Sequence, residues 1–206
     1  MNIITHNITE NTEDYSVTLN KAGEYFFVFY GFGELTKRID VVLDAEHITA
    51  HILGLCIGSA QKCFIETIQH HKAPNSISNL HIKSILNGDA SFNYKGSIKI
   101  DKQAQQSNAY QQNDNLILSP KAHVDTKPEL EIIANDVKCS HGATIGQLNK
   151  EELYYMQTRG ITKEDAYALA LNGFAQDIIA NIPDEKIRCE LTQFVEKSLC
   201  IYSYNI

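Results

Sequence analysis

Hydrophobic and polar positions alternate along most of this chain. Tyr15, Val17 and Leu19 open the pattern, and Ile39, Val41, Leu43 and then Ile48, Ala50, Ile52 repeat it. Between and after them stand Tyr25 to Tyr30 and the runs CFIETIQHH, LHIKSIL, SFNYKGSIKI and NLILS. Each run is short and bounded by Gly, Asn, Asp, Ser or Pro, the signature of strands rather than helices. No long helical period interrupts them, so a sheet built from alternating strands and helices is not expected. The connectors, such as HKAPNSISN and DKQAQQSNAYQQNDN, are polar and turn-rich, which suits either a sandwich or a parallel β-helix. From Ala122 onward, inward-facing pairs (Ala122/Val124, Leu130/Ile132, Val137/Cys139, Ala143/Ile145) recur about every seven residues, as brief strands joined by corners would. That rhythm favours the β-helix. The first twenty residues read as partly irregular.

The period changes at Asn149. NKEELYYMQTRG places Leu153, Tyr154 and Met156 at helical spacing, with Glu151 and Glu152 at the positive end of the helix dipole. Arg159 and Gly160 read as a last turn and its terminating glycine. Thr162 is suited to cap the next helix, whose apolar stripe is Tyr167, Leu171, Phe174 and Ile178. Pro183 fits the first position of a third helix carrying Ile187, Leu191, Phe194, Val195 and Leu199. The expected organisation is therefore a β domain over 1–148 and a helical domain over 149–206. Three such helices bury too little by themselves and must pack on the β domain or on a partner.

Composition narrows the function. A net charge of -7, with scattered Lys and Arg and no run of five, argues against nucleic acid as the main partner. Five cysteines without a CxxC pair suggest reduced thiols and a cytoplasmic setting. No apolar run reaches membrane-spanning length, so no membrane partner is expected. There is no GxxxxGK[ST] loop, GxSxG elbow or HExxH pair, so the chain is not expected to be an enzyme.

Within KPELEIIANDVKCSHGATIGQL, Cys139 and His141 are two residues apart. On a strand, that spacing turns thiol and imidazole to one face. Both suit iron and other borderline-soft metals, but two ligands do not complete a tetrahedral site. The pair reads as a half-site completed by another chain or by distant residues. The structural alternative is a small core cysteine and a hydrogen-bonded histidine. The adjacent His70 and His71 would face opposite ways and chelate poorly, and a solvated connector is the simpler reading. Cys56 and Cys63 read as core packing, and Cys189 and Cys200 as packing or surface residues.

The stretch from Ser107 to Ile161, with its marks KPELEI, NDVKCSHGAT and YYMQTRGI, resembles the SufD branch of the SufB/SufD family. The likeness is dense from about Ser107 to Phe174 and weaker back to about Ile39. It implies a mainly β protein: a right-handed parallel β-helix followed by a small C-terminal α-helical domain. It also implies a scaffold in iron–sulfur cluster assembly, paired with a SufB-like subunit through the β-helix, with its C-terminal helices docking a SufC-like ATPase. On this resemblance His141, and with it Cys139, stand at the interface where the cluster forms. Tyr154, Tyr155, Arg159 and Phe174 are the candidates for ATPase docking, with core packing an equal reading for the two tyrosines. No tightly bound cofactor is expected, only transient iron or an iron–sulfur cluster at the partner interface. Family members usually carry a longer, partly helical segment before the β-helix, whereas this sequence starts nearly at its first strand. A homodimeric metal carrier and a β-helix enzyme acting on carbohydrate are the alternatives.

Overall fold

A computed structural model describes residues 2–8 and 13–200. Residues 1, 9–12 and 201–206 lie outside the described residues, as does the side chain of Cys200. Parts of the expected irregular N-terminal stretch and the last six residues of the expected helical domain therefore fall outside them. Among the described residues, β1 (Asn2–Asn7), β2 (Tyr15–Leu19), β3 (Gly23–Phe32), β4 (Leu35–Leu43), β5 (Ile48–Ser59) and β6 (Lys62–His71) come first. Then follow β7 (Ile77–Asn87), β8 (Ser91–Ile100), β9 (Asn108–Ile117), β10 (His123–Ile132) and β11 (Lys138–Gly146). Three helices close the chain: α1 (Lys150–Thr158), α2 (Lys163–Ile179) and α3 (Glu185–Cys200).

The strands build a parallel β-solenoid. Odd-numbered strands form a six-stranded sheet in the order β1-β3-β5-β7-β9-β11, and even-numbered strands a five-stranded sheet in the order β10-β8-β6-β4-β2. Every neighbouring pair is parallel. The chain thus alternates between two facing sheets and climbs one strand in each as it goes. Alternation in sequence becomes alternation in space, since every second residue points between the sheets. Ile4, Phe27, Ile52, Leu80, Gln111 and His141 stand in one column of register partners. Phe27, Phe29, Ile39, Val41, Ile52, Ile65, Leu80, Phe92 and Tyr94 fill the interior at 2 % exposure or less.

The outer face of the six-stranded sheet is also covered. Val28, Leu53, Leu55, Ile57, Ile85 and Leu116 pack against Leu171, Ala175, Ile178, Ile179, Leu191 and Val195 of α2 and α3. This explains why β5 reads as a continuous apolar run, being buried on both faces. Lys83 fastens the junction. Its buried ammonium donates to the Phe174 carbonyl at 3.0 Å and to the Asp177 carboxylate at 2.6 Å, and lies 4.2 Å from the Phe174 ring centroid.

Several expectations about elements change. Within the first twenty residues, β2 follows the alternation of Tyr15, Val17 and Leu19, and β1 is a strand that the sequence pattern did not show. The seven-residue rhythm after Ala122 belongs to strands of ten and nine residues, not to brief ones. Thr126 and Pro128 occupy inward positions of β10 and split its apolar row, so one long strand reads as two short ones. The connector DKQAQQSNAYQQNDN contains most of β9. Its inward residues Gln111, Asn113 and Asn115 are buried at 2 % exposure or less, and alternation of apolar residues could not reveal a polar interior.

The helix starts follow the sequence closely. Asn149 caps α1 and Thr162 caps α2, each side chain accepting from a backbone N–H of the first turn. Gly160 adopts φ 86 beyond the end of α1, the left-handed conformation that glycine takes without steric cost. Pro183 is not the first residue of α3; Asp184 accepts from the Ile187 N–H at 3.0 Å and makes the cap.

Candidate functional site

The solenoid ends in an uncovered coil. β10 and β11 are the last strands of their sheets, so each has a neighbour on one side only among the described residues. The side chains that would be core one coil earlier therefore face outward from an open end. Register puts Val124 over Phe92, Thr126 over Tyr94, Pro128 over Gly96 and Leu130 over Ile98. On the other sheet, Cys139 lies over Ala109, His141 over Gln111, Ala143 over Asn113 and Ile145 over Asn115. Leu130, Ile132 and Ile145 are left 41 %, 39 % and 53 % exposed.

Cys139 and His141 share the inward face of β11, as their spacing requires. His141 is exposed and Cys139 half-buried. Partial burial pushes the Cys139 thiol up from its ordinary value, opposed by a hydrogen bond with the Ala109 backbone. A thiol so placed is mostly protonated near neutral pH, and its conversion to a thiolate ligand needs a cation or base brought from outside. A shallow depression of about 510 Å³ lies beside Cys139, lined also by Asn79, Tyr110, Val137, Lys138 and Ser140. His141 lies outside it. Among the described residues, no three His, Cys, Asp or Glu side chains gather so as to hold a metal ion. Iron or a cluster, if handled here, would meet this chain as cargo at an incomplete ligand set.

Beneath the open end the interior is polar. Asn115 Nδ2 donates to Asn113 Oδ1 at 2.7 Å and to the Thr144 carbonyl at 3.0 Å, while Ser84 Oγ donates to Asn115 Oδ1 at 2.7 Å. Gln69 Nε2 donates to Gln111 Oε1 at 3.5 Å, and Thr67 and Tyr94 share a hydroxyl hydrogen bond of 2.7 Å. Gly96 makes room for this group: a Cβ there would sit 2.3 Å from Gln111 Nε2 and 2.5 Å from the Tyr94 hydroxyl. Burial raises the Tyr94 hydroxyl well above its ordinary range and keeps it protonated.

The helical face presents its own residues. Tyr154 and Tyr155 are 69 % and 58 % exposed, so neither serves as core. Arg159 donates to the Tyr155 hydroxyl at 3.1 Å, and its guanidinium lies 5.1 Å from the ring centroid. Phe174 is half-buried against Lys83, apart from the exposed tyrosine pair.

The remaining histidines and cysteines resolve as follows. His70 and His71 do face opposite ways, but they end strand β6 and are not a solvated connector. His71 is fully buried, its two ring nitrogens bonded to Ser76 Oγ at 2.7 Å and Ser78 Oγ at 2.8 Å. Burial, with a smaller contribution from His70, lowers its pKa to about 4. Cys56 and Cys63 are buried together, and a hydrogen bond from Cys56 with desolvation drives the Cys63 thiol far up. Cys189 is exposed. Reasoning from sequence missed Pro128, Gly96 and Gln111. A proline inside a strand pattern was the available signal, because it marks a sheet edge.

Fold and site together define a class: a two-sheet parallel β-solenoid with a helical flank and a bare last coil that presents one thiol and one imidazole. Comparison with known proteins supplies the family. Residues 11–174 match the family model described as SUF system FeS cluster assembly, SufBD core domain, and the chain belongs to this SufBD family. It is SufD-like. It is 34 % identical over 160 residues to the iron–sulfur cluster assembly protein SufD of Escherichia coli, covering 77 % of this chain and 38 % of that protein. It is 42 % identical over 122 residues to an iron–sulfur cluster assembly SufBD family protein of Synechocystis, covering 59 % of this chain and 27 % of the relative. SufD of Bacillus subtilis is 34 % identical over 115 residues, covering 56 % and 26 %. The match thus spans well under half of each of these relatives. No described helix is long and apolar enough to cross a membrane.

Proposed function

We propose that this chain is a SufD-like scaffold in iron–sulfur cluster assembly. Its open coil pairs with a SufB-like subunit, and its helices dock a SufC-like ATPase that supplies ATP hydrolysis. The chain itself performs no catalysis in this reading. The observation that carries it is the bare end of a SufBD-family solenoid, where Cys139 and His141 share one face without a third ligand in reach among the described residues. Iron or a nascent cluster is substrate there, held transiently and completed by ligands of the partner. Tyr154, Tyr155 and Arg159 form the ATPase-facing surface, and Phe174 with Lys83 positions the helices on the rod.

Coexpression with SufB-like and SufC-like subunits under reducing conditions tests this. The three proteins are expected to copurify, and His141→Ala to keep the complex while cluster formation falls. Absence of both partners from a clean purification would reject the scaffold reading. Metal bound by the isolated chain and lost on His141→Ala would favour a homodimeric carrier in its place.

A further inference from the structure

β11 needs more than its backbone ladder to hold its register. It has a neighbour on one side only among the described residues, and a parallel ladder repeats the same bonds in any register. Burial of an apolar row normally fixes register, but here that row is weak. Cys139 is half-buried, and His141, Ala143 and Ile145 are exposed. Lys138, Ser140, Gly142, Thr144 and Gly146 alternate with them on the outer face. A slip of one residue would turn Cys139 and His141 to that outer face.

Two outward side chains of β9 supply what the ladder lacks. Asp114 stands opposite Thr144 and accepts its hydroxyl at 2.6 Å. The carboxylate is itself held, accepting from Gln112 Nε2 at 2.6 Å and from His81 Nε2 at 2.7 Å. Burial pushes the Asp114 carboxyl up, but the bonds from Thr144, Gln112 and His81 outweigh it and hold the group below its ordinary value. From the inner side, Asn115 Nδ2 donates to the Thr144 carbonyl at 3.0 Å, so Thr144 is gripped from both faces. Gln112 stands opposite Gly142. Its Oε1 accepts from the Tyr110 hydroxyl at 2.8 Å, which leaves the amide tied at both ends. A Cβ at position 142 would run into that oxygen, and Gln112 could yield only by breaking its bonds.

We infer that Asp114 and Gln112 are positioning residues for the cluster site: one demands a hydroxyl opposite, the other a glycine, and together they admit β11 in a single register. A slip of one residue sets Ala143 or Ile145 against Asp114, and His141 or Ala143 against Gln112. A slip of two keeps the faces but sets Gly142 or Gly146 against Asp114, and Ser140 or Thr144 against Gln112. Each of these leaves the carboxylate without its hydroxyl and puts a Cβ where the Gln112 oxygen lies. The observed register meets both demands and turns Cys139 and His141 inward. In the run CSHGAT, Gly142 and Thr144 thus serve the two residues that precede them. The inference rests on the reading of Cys139 and His141 proposed above.

Alkylation of the isolated chain with iodoacetamide, followed cysteine by cysteine in a mass spectrometer, tests the lock. Exposed Cys189 calibrates the reagent, and buried Cys56 and Cys63 report global unfolding. Thr144→Val removes the hydroxyl but keeps a β-branched shape that suits a strand, so the denaturation midpoint should hold. Relative to Cys189, Cys139 is expected to react about fivefold faster or more, with Cys56 and Cys63 still protected, and Thr144→Ser to return it to within about twofold of the unsubstituted chain. An unchanged Cys139 rate in Thr144→Val would overturn the lock at Asp114. Gly142→Ala should speed Cys139 likewise, and adding Gln112→Ala should bring it part of the way back. A Gly142→Ala chain as slow as the unsubstituted one would overturn the lock at Gln112, and this pair decides if Thr144→Val does not fold. In the coexpressed complex, cluster formation should fall about fivefold with Thr144→Val and recover with Thr144→Ser. Full cluster formation beside a fast Cys139 would overturn the positioning role. If no complex forms, the scaffold reading fails, and the Cys139 rates still decide the register.

Discussion

The two ends of the solenoid share a backbone and differ in what they enclose. Near its start, Phe27, Ile52 and Leu80 stack as apolar register partners; one strand further the same column becomes Gln111 and then His141. The adjacent column passes from Phe29 through Gly54 and Ile82 to Asn113 and Ala143. Apolar rows hold the early coils by burial, which is non-directional and large. The late coils are held by hydrogen bonds whose net contribution is modest but whose loss is costly. A stable trunk can therefore carry an end whose interior is polar, specific and ready to be covered. The comparison teaches where stability and function are separated along one repeating backbone.

The largest expected effect lies in the trunk. Phe27→Ala should destabilise the chain by about 3–5 kcal/mol through lost burial and a cavity, read as a lower midpoint in chemical denaturation. A change near 1 kcal/mol would mean that the apolar end is not the trunk of the fold.

Next is a pH effect inside the rod. His71 is neutral in the folded chain because burial holds its pKa to about 4. The unfolded histidine takes up a proton below about pH 6.5, so folding loses stability as pH falls from there toward 4. The full difference is on the order of 3 kcal/mol. His71→Gln should flatten that part of the stability profile. An unchanged slope would place the titration elsewhere.

A smaller effect sharpens the polar end. Gly96→Ala puts a methyl group into Gln111 and the Tyr94 hydroxyl and should cost about 1–3 kcal/mol. Adding Gln111→Ala should recover part of it, because the two residues compete for one space. Strict additivity in a double-mutant cycle would break the packing argument.

The smallest stability effect is expected outside the comparison, on the helical flank. Arg159→Ala removes an exposed contact with Tyr155 and should change stability by no more than about 0.5 kcal/mol. If this face docks the ATPase, affinity for it should fall roughly tenfold, since Tyr and Arg anchors carry much of an interface. A binding isotherm beside a thermal melt separates the two.

Period-two alternation was enough to read strands from residue 15 to about 100, and the change of period at Asn149 and the capping residue Thr162 to read two of the three helix starts. The spacing of Cys139 and His141 was enough to place them on one strand face. These are local matters: side-chain direction and backbone preference act within a few residues. Residue pattern alone did not separate sandwich from solenoid; that depends on which strands become neighbours roughly thirty residues apart. It hid β9, because Gln111, Asn113 and Asn115 are core residues only when Ser84 and the Ile82 and Thr144 carbonyls are brought beside them. It also misread His71 as solvated, because its burial and its two serine partners come from the turn into the next coil. Exposure at the open end belongs to tertiary structure as well. Cys139, His141, Leu130 and Ile132 have the local pattern of interior residues, and only the lack of a further coil on that side, among the described residues, turns that interior into a surface.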